Sequence, residues 1–100
     1  MANTMISLCY VSHIEEPLSN DEINHLLRGF RENNARLDVS GLLLYNGANT
    51  FIQILEGETN TVSKLYNTIS ADTRHSQVDC LLRSDIIDRD FADWKMGFRN

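Results

Sequence analysis

Apolar residues along this chain switch between two periods, and the switches mark out seven elements. Met5 to Ser12 reads as a strand that is apolar on both faces: Ile6, Leu8, Tyr10 and Ser12 share one side, and Ser7, Cys9 and Val11 the other. Pro17, the only proline, breaks it. Ser19 with Glu22 forms an S-x-x-E capping box that opens a helix, and Ile23, Leu26, Leu27 and Phe30 follow as a helical stripe. Asp21 and Glu22 suit the positive end of its dipole, and Asn33 or Asn34 is its expected stop. Val39 to Tyr45 predicts a second strand, Asn46 to Asn49 a hairpin turn, and Phe51 to Glu56 a third strand. A second helix is capped by Thr59 or Asn60 and carries the stripe Val62, Leu65, Tyr66, Ile69 as far as Ala71 or Asp72. Val78 to Arg83 predicts a fourth strand. Trp94 to Phe98 predicts a short fifth one, with Trp94, Met96 and Phe98 on one face.

The order βαββαββ is that of an α+β, ferredoxin-like sandwich, with two helices on one face of a mixed, mostly antiparallel five-stranded sheet. One residue does not fit a plain scaffold. Gln53 shares a face with Phe51 and Leu55, both core positions. A buried amide without a partner costs about 1–3 kcal/mol, so something polar must meet it. Tyr10, on the helix-facing side of the first strand, needs a partner for its hydroxyl as well. The two strands can be neighbours in this fold, and a Tyr10–Gln53 hydrogen bond follows, whether as self-satisfaction within the core or as chemistry. The other sheet face has its own consequence. Cys9, Val11, Leu42, Leu44, Ile52 and Ile54 cannot all be covered by the same two helices. That face is expected to meet C-terminal helices, an effector domain or the second copy of a homodimer.

Composition narrows the classes. One hundred residues, 42% of them hydrophobic, make a single domain over residues 1–100. A net charge of −5 with no basic run argues against nucleic acid and anionic membrane. No apolar run approaches the roughly 18 residues of a membrane helix, and no leader pattern opens the chain. Cys9 and Cys80 have no metal or redox spacing and read as buried thiols of a cytoplasmic protein. His13, His25 and His75 are unclustered, and Asp85, Asp88 and Asp90 read as solvated charge. No nucleotide-binding loop, zinc motif or nucleophile elbow is present, so neither a metal nor enzyme catalysis is expected.

Seven stretches, in order, make the whole resemble the BLUF family of blue-light sensors that use FAD. They are YVS (Tyr10 to Ser12), PLS (Pro17 to Ser19), NNAR (Asn33 to Arg36), SGLLLY (Ser40 to Tyr45), FIQILEG (Phe51 to Gly57), ADTRH (Ala71 to His75) and WKMGF (Trp94 to Phe98). The resemblance implies a flavin held non-covalently between the helices and over the sheet, FAD in the family, with FMN or riboflavin as substitutes. It implies that Tyr10 is the photoactive tyrosine and that Gln53 bridges its hydroxyl to the flavin. Asn34 and Asn33 would hold the ring's carbonyl edges, and His75 would pack near the ring. Trp94 and Met96 would be the exchanging pair that carries the signal. In the implied cycle Tyr10 gives up an electron and a proton to the excited flavin, and recombination leaves Gln53 with new hydrogen bonds. No net reaction occurs. Phe30, Thr68 and Ser40 depart from the family's usual residues, and the turn after Tyr45 is longer by one. Two rivals stand beside this reading: a ferredoxin-like module that binds a small ligand without photochemistry, and an acylphosphatase-type enzyme. The latter lacks the arginine it would want near the first strand.

Overall fold

The helix starts are set by side chains that satisfy otherwise unpaired backbone N–H groups. At the first helix, α1 (Asn20–Leu37), Ser19 Oγ accepts the Glu22 N–H at 3.1 Å, and Glu22 Oε1 accepts the Ser19 N–H at 3.0 Å. Such a cap contributes about 1 kcal/mol. Bonding to Ser19 also holds the Glu22 carboxyl below the usual carboxylate range. At the second helix, α2 (Thr59–Ala71), the cap is Glu58, the last residue of the preceding strand, rather than Thr59 or Asn60. Its carboxylate accepts from the Asn60 and Thr61 N–H groups at 3.3 and 3.2 Å and from the Thr61 hydroxyl at 2.7 Å.

The computed structural model describes residues 4–71, 76–94 and 96–99. Five strands, β1 (Met5–His13), β2 (Ser40–Tyr45), β3 (Thr50–Glu58), β4 (Ser76–Ile86) and β5 (Gly97–Arg99), form one sheet in the order β4-β1-β3-β2-β5. β5 runs parallel to β2; the other pairings are antiparallel. The ferredoxin-like reading of the sequence holds.

Three boundaries differ from the sequence expectation by three residues or more. α1 passes Asn33 and Asn34 and stops at Leu37, because Asp38 takes the left-handed conformation (φ 56°, ψ 45°) and returns its N–H to the Asn34 carbonyl. Asp, like Asn, tolerates that geometry, and Ala35, Arg36 and Leu37 are adequate helix formers. Asn34 therefore lies inside the last turns of α1. β4 extends to Ile86 and takes in the exposed Asp85, because β1 supplies partners along its whole length. β5 begins only at Gly97, so Trp94 is outside the strand.

The helix-facing side holds the core: Ile6, Leu8 and Tyr10 from β1, Phe51 and Leu55 from β3, Leu43 from β2, Ile23 and Leu27 from α1, and Val62, Leu65 and Ile69 from α2. The opposite face carries Cys9, Val11, Leu42, Leu44, Ile52 and Ile54, all half-buried, and continues into the exposed Leu82. Among the described residues no helix is long and apolar enough to cross a membrane. The hairpin between β2 and β3 is organised by Asn46, whose Oδ1 accepts the N–H groups of Ala48, Asn49 and Thr50 at 2.9, 3.0 and 3.1 Å. Gly47 supplies the positive φ of 81° that this turn requires.

Candidate functional site

β1 and β3 are neighbours, and their register places Tyr10 directly across from Gln53 with both side chains toward the helices. Both are 1% exposed. The Tyr10 hydroxyl donates to Gln53 Oε1. The far end of the amide faces a different partner: Gln53 Nε2 donates to Met96 Sδ at 3.4 Å. The phenol, the amide and the thioether thus form a chain, and the amide lies between a good donor and a weak acceptor. The expected hydrogen bond is present, and Met96 is its continuation.

The surroundings are apolar. The Tyr66 ring from α2 meets Tyr10 edge to face, with centroids 5.5 Å apart. Burial, and then the neighbouring Tyr66, push the Tyr10 hydroxyl well above its ordinary value of 10.0. Its proton therefore stays in place throughout the neutral range, available to be given up only on demand. In such a medium hydrogen bonds count for more, and an unmade one costs more.

The other candidates divide. Asn34 is 1% exposed, held in the last turns of α1. Asn33, next to it, is half-buried and its Oδ1 accepts from Arg36. His75 lies outside the described residues. Trp94 and Met96 do not share a face, contrary to the alternation of a strand through both. Met96 is 2% exposed and points to Gln53, whereas Trp94 is 45% exposed. The cause is local. Trp94 closes a turn by donating its N–H to the Phe91 carbonyl at 2.9 Å. Its ring then folds over Gly97, where an added Cβ would lie 2.5 Å from the indole Cε3.

Two participants carry no strong sequence signal. Ser12 shares the face of Tyr10 and lies across from Phe51; its hydroxyl is fully buried and has no hydrogen-bond partner among the described residues. Alternation alone placed it on that face. Arg31 donates from Nε to the Met96 carbonyl at 3.0 Å, a contact spanning 65 residues that no local pattern announces.

Gln53, Asn34 and Ser12 are all buried polar residues, Gln53 and Ser12 on the helix-facing side of the sheet and Asn34 on α1.

Comparison with known proteins gives the family. The family model for BLUF, sensors of blue-light using FAD, matches residues 5–97. The photoactivated adenylate cyclase subunit beta of Euglena longa is 33% identical over 94% of this chain, which spans 11% of that protein. A solved bacterial light-regulated adenylyl cyclase superposes with a TM-score of 0.86 at 42% identity, over 94% of this chain and 27% of its own. BlrP1 of Klebsiella pneumoniae, solved with FMN and cyclic diGMP, gives a TM-score of 0.86 at 28% identity, over 96% of this chain and 26% of its own. The chain thus covers about a tenth to a quarter of the length of these relatives. With its fold, its Tyr10–Gln53 pair and its match over residues 5–97, the chain belongs to the BLUF family of blue-light sensors.

Proposed function

We propose that this domain binds a flavin non-covalently between α1, α2 and the sheet, and reports blue light through the hydrogen bonds of Gln53. The observation that carries the reading is the buried Tyr10–Gln53–Met96 chain. A bound flavin would supply light absorption and an excited state able to accept an electron. Tyr10 is the donor: its phenol can lose an electron while its hydroxyl proton passes along the bond to Gln53 and then returns. Gln53 is the memory. An amide can exchange its donor and acceptor ends by rotation or tautomerism, so a pulse of light can leave a different bonding pattern with no covalent change. Asn34 would hold one carbonyl edge of the ring, with Asn33 and His75 around it, and Ser12 would gain the partner it lacks among the described residues.

Signal leaves the site through Met96 and Trp94, toward the sheet's half-buried apolar face, where a partner copy, C-terminal helices or an effector would sit. Any enzymatic output belongs to that effector and not to this domain; cyclases among the relatives support this division. FAD is the family's flavin, and the similarity to BlrP1, which was solved with FMN, supports acceptance of the shorter cofactor here too. Cys9 is half-buried and Cys80 exposed, not buried as the sequence suggests, and as free thiols they suit a reducing cytoplasm.

Flavin loading tests the reading. Apo-protein given FAD, FMN or riboflavin should gain the structured absorption of a bound flavin. Asn34→Ala should bind about tenfold more weakly, the equivalent of one buried hydrogen bond. A folded protein that takes up no flavin would refute the proposal.

A further inference from the structure

β4 and β5 lie at opposite edges of the sheet, so residues 87–96 must cross three strands, roughly 19 Å at about 4.8 Å per step. Midway they are pinned to a buried carboxylate. Glu56 lies on β3 three residues after Gln53, on the opposite face, and is 1% exposed. Its Oε2 accepts the Asp90 N–H at 2.7 Å, and its Oε1 accepts the Phe91 N–H at 2.9 Å and the Ser40 hydroxyl at 3.2 Å. Arg89 locks the same junction. Its guanidinium donates to Ser40 Oγ at 3.1 Å, to the Glu56 carbonyl at 3.4 Å and to the Asp38 carbonyl at 2.7 Å, and it pairs with the exposed Asp38 carboxylate at 3.4 Å.

Beyond this clamp Phe91, Trp94 and Met96 each make a further contact. The Phe91 and Trp94 rings meet at a tilt with centroids 5.4 Å apart, the Trp94 carbonyl accepts the Gly41 N–H at 3.0 Å, and the Met96 carbonyl accepts from Arg31. Wherever Asp90 and Phe91 are held, Met96 is delivered accordingly.

We propose that Glu56 is a positioning residue for the switch: its carboxylate sets the register in which Met96 faces Gln53 and Trp94 stays outside. This rests on Gln53 being the switch, and it assigns what holds Gln53's neighbour in place. It also makes the clamp the element against which a reoriented Gln53 must work to move Trp94 and Met96. A glutamine at 56 keeps the shape but turns an NH₂ toward at least one backbone N–H, so one of the paired acceptors is lost.

The test uses Glu56→Gln and, because a buried change can prevent folding, Arg89→Ala as a second variant at a residue that is partly exposed. Two readouts are taken without light: amide hydrogen exchange, and acrylamide quenching of Trp94, the chain's only tryptophan. The proposal expects the Gly41 amide, bonded to Trp94, to exchange about tenfold faster, more than amides of the β1–β3 ladder, together with a changed quenching constant. If only the Asp90 and Phe91 amides speed up, while Gly41 and Trp94 behave as in the wild type, Glu56 merely fastens a loop and the proposal falls. A wild-type protein inert to light would refute the photosensor reading and leave this result standing.

Discussion

Tyr10→Phe is expected to abolish the light response while sparing the fold. The substitution removes one oxygen from a residue packed among Tyr66 and the core, so shape and apolar contacts persist. What goes is the only hydroxyl bonded to Gln53 Oε1 among the described residues. Phenylalanine has no proton to pass along that bond, so the donor step has no path. The stability cost should be about 1–3 kcal/mol, because the amide oxygen is left buried without its donor. That corresponds to a fall in Tm of roughly 4–20 °C for a domain this size. Flavin should still bind. Gln53→Leu should give the same silent phenotype from the other end, with Tyr10 intact and nothing left to reorient. Light-minus-dark absorption spectra of the two flavin-loaded variants, set beside their melting curves, check both. A variant that keeps a full reversible shift would show that its residue is not part of the switch.

The second large effect falls on the scaffold. Gly41→Ala should leave little folded protein. An added Cβ there would lie 1.9 Å from the Ile54 carbonyl oxygen, 3.0 Å from its carbonyl carbon and 3.4 Å from Leu55 Cα. All three are backbone atoms of β3, so no rotamer change relieves the clash; β2 and β3 must separate. Overpacking a core costs about 1–3 kcal/mol when side chains can adjust, and here they cannot. A loss at or above the top of that range consumes much of a typical 5–15 kcal/mol stability and lowers Tm by about 15 °C or more. Gly29→Ala provides the contrast. It lies within α1, and beyond the helix's own nearby backbone no described atom comes within 4 Å of the added Cβ, so the change should stabilise the helix by about 0.5–1 kcal/mol. Thermal melts of the pair separate steric need from mere helix preference.

Much of the site could be read from period alone. The two-residue alternation of β1 and β3 put Ile6, Leu8, Tyr10 and Ser12 on one face, and Phe51, Gln53 and Leu55 on another. A polar residue in such a run can only be a cost or a device, which is why Gln53 was visible. The capping box at Ser19 was visible for the same reason: it is local chemistry. What could not be read depends on contacts far apart in sequence. The stop of α1 fell at Asp38 because the stretch up to Leu37 favours helix and Leu37 packs against the core. Trp94 left the expected strand because Gly97 offers its ring a place to lie and Gly41 takes its carbonyl. Glu56 looked like a strand end, and no sequence feature singled out Arg89. Their meeting is produced by a sheet order that sends the chain across three strands.

If light rewrites the hydrogen bonds of Gln53 without net chemistry, the flavin must register the change and then lose it. The absorption spectrum of the flavin-loaded wild-type protein, recorded in the dark and again directly after blue light, is the decisive measurement. A small red shift of the flavin bands is expected, reverting completely in the dark through repeated cycles. A bound flavin whose spectrum light leaves unmoved, or changes irreversibly, would overturn the switch assigned to Tyr10 and Gln53.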